Sequence, residues 1–227
     1  MARPRVHDPD DILDAVEALV CARGAAGVSI RAVSAATGVS NGALYHEFGS
    51  RAALLARTWL RAGRRFLACQ SALVDAALSR GAGAEALSRG AGADAVAAAA
   101  DAPVAFADAH PAAAALLLTV RREEVLAADV PDDIAAQLRD LNGELTGLLI
   151  RLATAMWDRR DAAAVAVITS CVVDLPTALV LRRNRLADPT ARLALRAAVT
   201  AVLDVGPPPR RRKPPSDTTT RQSEESS

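Results

Sequence analysis

The chain has 227 residues, 51% hydrophobic and only 3% aromatic, so its apolar content is aliphatic, dominated by Ala and Leu, and favours helix over sheet. The net charge of +1 conceals a split: residues 1–66 hold nine Arg against six acids (+3), residues 67–205 hold 13 Arg against 17 acids (−4), and the tail from Gly206 holds five basic residues against three acids (+2). Cys21, Cys69 and Cys171 are odd in number and fit neither a disulfide framework nor a metal site, and His7, His46 and His110 are equally scattered. No run alternates with period 2 long enough for a strand, so the class is all-α.

The first helix is predicted to open at Asp8-Pro9, with Asp8 as cap, Pro9 at the first helical position, and Asp10 and Asp11 complementing the dipole. The same acids interrupt any signal-peptide core, so a reducing cytoplasm is the expected compartment. Ile12, Val16, Leu19 and Val20 form an apolar stripe, and Gly24 and Gly27 end the helix.

Two short helices joined by a tight turn follow over residues 29–48, SIRAVSAATGVSNGALYHEF. Ser29 caps the first, whose Ile30 and Val33 point inward. Thr37-Gly38-Val39 turns the chain, with Gly38 in the left-handed conformation. Ser40 caps the second helix, and Leu44 and Phe48 anchor it. This is a helix-turn-helix, which lays its second helix in the DNA major groove. Ser40, Asn41, Gly42 and Ala43 are its leading surface. Small Gly42 and Ala43 allow close backbone approach, and Asn41 suits adenine. Tyr45, His46, Ser29, Arg31 and Arg51 are the expected phosphate contacts. Gly49 then closes the recognition helix, and Ser50 caps a fourth helix through Leu54, Leu55, Trp59, Leu60 and Phe66.

Residues 79–96 hold a tandem repeat, SRGAGAEAL then SRGAGADAV. Its four glycines predict a flexible connection, each costing about 1 kcal/mol in a helix interior relative to Ala. Body helices are predicted over 93–109, 111–121, 131–157, 161–184 and 189–204, punctuated by Pro103, Pro111, Pro131, Pro176 and Pro189. Three units result: a DNA-binding head over 1–66, a helical body over 67–205, and a basic, polar tail over 206–227 that is expected to be disordered. The run Arg210-Arg211-Arg212-Lys213 either attracts phosphate non-specifically or is simply solvated.

The segment VSIRAVSAATGVSNGALYHEFGSRAALL resembles the DNA-binding domain of the TetR family of transcriptional regulators, through Gly38-Val39-Ser40, Gly42, Leu44-Tyr45, Phe48, Ser50-Arg51 and Leu54-Leu55. It departs at Val33-Ser34, where the family usually has Ile-Ala, and at Arg51-Ala52, where it often has Lys-Glu. The resemblance implies a homodimer that places two recognition helices on a palindromic double-stranded operator. It also implies a small-molecule effector that binds the body and releases the DNA, without a cofactor. The alternatives are an activator, or a helical ligand-binding or interaction protein with a weak DNA-binding head. An enzyme is not expected, because no Ser/His/Asp set, metal spacing or phosphate loop appears.

Within the body, residues 162–181 are almost wholly apolar and flanked by Arg pairs. Their length could span a bilayer, but Asp174 and Pro176 near the centre argue for a helix buried in a dimer instead. Pairing is therefore expected through helices near 131–157 and 161–184. Candidate ligand residues by type are Phe106, His110, Leu117, Trp157, Cys171 and Asp174, with Asp174 equally readable as a cap or a cross-dimer contact and His110 as a helix junction. The scarcity of aromatics favours an aliphatic or small hydrophobic effector.

Overall fold

The computed structural model describes residues 8–81, 88–128, 130–182 and 185–209, and no strand occurs among them. Ten helices follow in order: α1 Pro9–Arg23, α2 Ile30–Thr37, α3 Asn41–Phe48, α4 Arg51–Gly81, α5 Ser88–Ala109, α6 Pro111–Thr119, α7 Arg122–Ala127, α8 Asp132–Trp157, α9 Ala162–Leu181 and α10 Pro189–Val205. Their starts obey local capping chemistry. The Asp8 carboxylate accepts from the Asp10 N–H at 3.0 Å, and Asp188 accepts from Thr190 and Ala191 at the start of α10. In both helices Pro takes the first position, where its missing N–H costs nothing. Residues 210–227, most of the expected tail, lie outside the described part of the chain.

The expected flexible connection over 79–96 is corrected by the structure. Its first residues end α4, residues 82–87 lie outside the described part, and the second repeat copy is helical from Ser88 onward. Ala91, Ala95 and Val96 of that copy are buried. Gly92 explains why glycine is used there. A Cβ at Gly92 would stand 2.8 Å from the Ala155 carbonyl oxygen and 2.9 Å from the Met156 Cα. Close approach of α5 to α8 therefore requires the residue that helix propensity disfavours, and packing overrides propensity.

Pro103, expected to punctuate the body, lies inside α5. It cannot donate to the carbonyl four residues back, Ala99. Gln70 of α4, almost wholly buried, donates its Nε2–H to that carbonyl at 2.9 Å. The pairing has a testable consequence. Gln70→Leu is expected to cost about 1–3 kcal/mol, because the Ala99 carbonyl is left buried without a partner. In a Pro103→Ala background the helix supplies its own N–H, and the cost of Gln70→Leu should shrink below about 1 kcal/mol. Urea denaturation of the four proteins of this double-mutant cycle checks it.

Pro176 lies within α9 without ending it. The helix widens on either side into π-helical stretches, Ser170–Asp174 and Thr177–Leu181, which accommodate the missing N–H. Asp174 therefore does not cap a restarted helix; it stands exposed midway along a continuous one. The helix α7 was not anticipated from sequence, being only six residues long.

Two groups of buried side chains hold the chain together. One joins α1, α2, α3 and the first half of α4 to Phe106, Leu116, Val120, Ile134, Leu138 and Leu141. The other joins the end of α4 and most of α5 to the second half of α8, α9 and α10. The helix α4 runs unbroken across residues 66 and 67 and takes part in both. The helix α6 packs against α1, so the body reaches the first helix of the head directly.

Candidate nucleic-acid interface and cavity

Each turn of the helix-turn-helix is set by a short-range bond. Ser29 Oγ accepts from the Ala32 N–H at 3.1 Å and Ser40 Oγ from the Ala43 N–H at 3.2 Å, satisfying otherwise orphaned donors at the starts of α2 and α3. Between them Gly38 adopts φ 74° and ψ 2°, the left-handed region that a side chain resists. The Thr37 hydroxyl donates to the Val33 carbonyl and accepts from the Val39 N–H, bracing that turn. Leu44 and Phe48 are buried, fixing which face of α3 turns inward. Asn41, Gly42, Ala43, Tyr45, His46 and Glu47 are all exposed, as are Ser29, Arg31, Ser40 and Arg51. Tyr45 is 55% exposed on the same face of α3.

Arg51 is exposed but committed. Its Nη2 donates to the Ala25 carbonyl at 2.7 Å and its Nε to the Val28 carbonyl. It clamps the start of α4 to the turn between α1 and α2, sharing the Ala25 carbonyl with the Val28 N–H and taking the Val28 carbonyl as well. Sequence reasoning had no signal for this, since the partners lie 23 and 26 residues away.

The body contains a cavity of about 250 Å³ between α4, α5, α6 and α8. Trp59, Gly63 and Phe66 of α4 form one wall, Phe106 of α5 and Leu117 of α6 a second, and Leu141 and Leu145 of α8 a third. Its surface is overwhelmingly apolar, with Arg122 and Asn142 as the polar contributions. Phe66 and Phe106 meet edge to face with centroids 5.5 Å apart.

Of the six candidate ligand residues, Phe106 and Leu117 line this cavity. His110 lies off it, at the N-cap of α6, its ring 5.2 Å from that of Phe106. Trp157 ends α8 against the second core group. Cys171 is fully buried in that group, where desolvation pushes its thiol up to about 11. Asp174 faces outward on α9. Trp59, Gly63, Arg122 and Asn142 were not among the candidates; the apolar stripe through Trp59 was the one available signal.

Residues 12–58 match the family model described as bacterial regulatory proteins, tetR family. The head is therefore similar to the DNA-binding head of TetR-family transcriptional regulators. The whole fold resembles those of solved regulators. The regulator PfmR from Thermus thermophilus is 17% identical with a TM-score of 0.59, covering 87% of this chain and 96% of its own. A tetR-family regulatory protein from Rhodococcus RHA1 is 20% identical with a TM-score of 0.58, covering 88% and 98%. The ketosteroid regulator KstR2 of Mycobacterium tuberculosis is 17% identical with a TM-score of 0.56, covering 92% and 100%. At these identities the likeness is one of fold. Among curated proteins, none is significantly similar in sequence to this chain.

Two polar devices fix α4, one to the body and one to α1. The Trp59 indole N–H donates to the buried Val120 carbonyl at 3.0 Å, joining α4 to the end of α6. Arg61 of α4 reaches three acids of α1: Asp10 at 3.1 Å, Asp14 at 2.6 Å and Glu17 at 2.8 Å. Burial acts to lower the Arg61 pKa, but the hydrogen bonds and charge of Glu17, aided by Asp10 and Asp14, hold it above its ordinary value. The Arg57 guanidinium sits 5.9 Å from the ring centroid of Phe48, so α4 also touches the end of α3.

Proposed function

We propose that this protein is a homodimeric, ligand-responsive repressor that binds a palindromic operator and is released by a small hydrophobic effector. The observation that supports it most is the double use of α4. Arg57 packs on Phe48 of α3, while Trp59, two residues on, lines the cavity and bonds to Val120. A ligand that fills the cavity acts on the same helix that carries the head, and so biases the spacing of two heads on DNA.

The dimer forms through α8 and α9. The helix α9 has a mean hydropathy of 2.1 over its most apolar window, yet only 33% of that window is buried within the chain. A second copy of the same surface covers it. Among the described residues it is the one unbent helix long and apolar enough to cross a membrane. The exposed carboxylate of Asp174 at its centre is costly in lipid. The regulator acts in the cytoplasm, where its DNA is accessible.

On DNA, Asn41 reads a base edge, with Gly42 and Ala43 allowing close approach, and Tyr45, His46, Ser29 and Arg31 hold phosphates. Arg51 contributes chiefly by holding the turn after α1 in place. A mobility-shift titration on the DNA flanking its own gene tests the reading. The dimer is expected to bind there and to dissociate when an effector occupies the cavity; an intact dimer that binds no site there or in a genomic selection sinks it. Asn41→Ala should relax preference at one base pair by about 1–3 kcal/mol. Tyr45→Ala should weaken binding to all sequences alike. An unchanged base preference in Asn41→Ala removes its reading role.

A further inference from the structure

We infer that the effector is a medium-chain aliphatic carboxylate whose anionic end is held by Arg122. The inference rests on the reading of the cavity as an effector site and names the chemistry of its occupant. Three observations carry it. The cavity wall is hydrocarbon except at Arg122 and Asn142, since the Trp59 indole N–H is committed to the Val120 carbonyl. Asn142 and Leu118 are exposed and Arg122 is half-exposed, so the polar residues stand at the mouth and the apolar ones inside. The guanidinium has no carboxylate partner among the described residues. Among the described residues its one hydrogen bond runs from Nη2 to the Leu138 carbonyl at 3.3 Å, beyond the usual length.

Arg122 differs in this from the arginines that acids already engage. Arg61, Arg151, Arg159, Arg185 and Arg196 each pair with an acid. Glu123 and Glu124 adjoin Arg122 in sequence, yet both are exposed and neither pairs with it. A half-desolvated guanidinium beside an apolar cavity favours an anion, and its planar fork matches a carboxylate. The size of the tail follows from volume. At about 30 Å³ for each water-sized group, 250 Å³ holds about eight such groups. An eight-carbon carboxylate seats its chain against Trp59, Phe66 and Phe106 and leaves its head at the mouth.

Sodium octanoate and 1-octanol, titrated calorimetrically into the full-length wild type, Arg122→Gln and Arg122→Lys at pH 7, test this. Octanoate should bind the wild type at least about tenfold more tightly than octanol. Arg122→Gln should erase that preference while octanol binding persists, which also shows that the variant is folded. Arg122→Lys, which keeps the charge, should retain a preference for octanoate. Equal affinities in the wild type, a preference that survives Arg122→Gln, or no binding of either compound overturns the inference. Octanol binding without preference, accompanied by release of DNA, overturns it and leaves the ligand-responsive regulator standing. An octanoate preference in a dimer that binds no DNA does the reverse.

Discussion

Gly92→Val lowers the stability of the protein by about 3 kcal/mol, the upper end of what overpacking in a well-filled interior costs. The Cβ alone would meet the Ala155 carbonyl at 2.8 Å and the Met156 Cα at 2.9 Å. Both are backbone atoms of α8, which cannot rotate away as a side-chain end can. Branching at Cβ adds a second atom to the same conflict. Gly90, two residues earlier in the same repeat copy, is the control, because nothing lies within 4 Å of a Cβ placed there. Gly90→Ala should raise stability by up to about 1 kcal/mol through helix propensity. For a chain of this length, 3 kcal/mol lowers the melting temperature by roughly 6–12 °C. Thermal unfolding of both variants beside the wild type checks the pair, and a Gly92→Val protein as stable as the wild type would show that α5 and α8 do not approach this closely.

Arg61→Leu has the other large expected effect, also about 3 kcal/mol. The Glu17 side chain is only 6% exposed and that of Arg61 13%, so removing the guanidinium leaves a buried carboxylate with Arg65 alone, at 3.5 Å. Loss of one member of a buried pair is strongly destabilising because the other charge stays desolvated. Asp10 and Asp14 are different, with 71% and 60% of their side chains exposed. Asp14→Ala should cost at most about 1 kcal/mol despite its 2.6 Å contact. The double variant Arg61→Leu with Glu17→Leu should recover most of the loss, because two apolar side chains carry no desolvation cost. Guanidinium denaturation of the singles and the double measures the coupling directly. If the double is no more stable than Arg61→Leu, the cost lies in lost packing and not in the stranded carboxylate.

The head was legible because its instructions are local. A cap bond spans two or three residues, as from Ser29 to Ala32 and from Ser40 to Ala43, and Gly38 carries its positive φ by itself. The apolar pair Leu44 and Phe48 then decides which face of α3 turns inward, and so which side chains face out. The same local logic placed the starts of α6 and α10 at their prolines. The body resisted reading where an interaction joins distant segments. Phe106 and Leu117 reach the cavity while Cys171 and Trp157 do not, a distinction that depends on how helices rotate against each other. A helical period shows that a residue is apolar-facing, not which neighbour it faces.

Helix starts, caps and the outward face of α3 therefore follow from the chain alone, because the bonds that set them span one or two turns. The second repeat copy became helix only through its packing on α8, where Gly92 permits a contact that no propensity scale registers. Pro103 stays inside α5 because Gln70, 33 residues earlier in the chain, takes over the carbonyl it abandons. Arg51 is a clamp because the carbonyls of Ala25 and Val28 come within its reach. Arg122 stands at a cavity because four other helices enclose that space. Each depends on surfaces meeting across the fold, where burial and desolvation set the free energy and sequence separation carries no information.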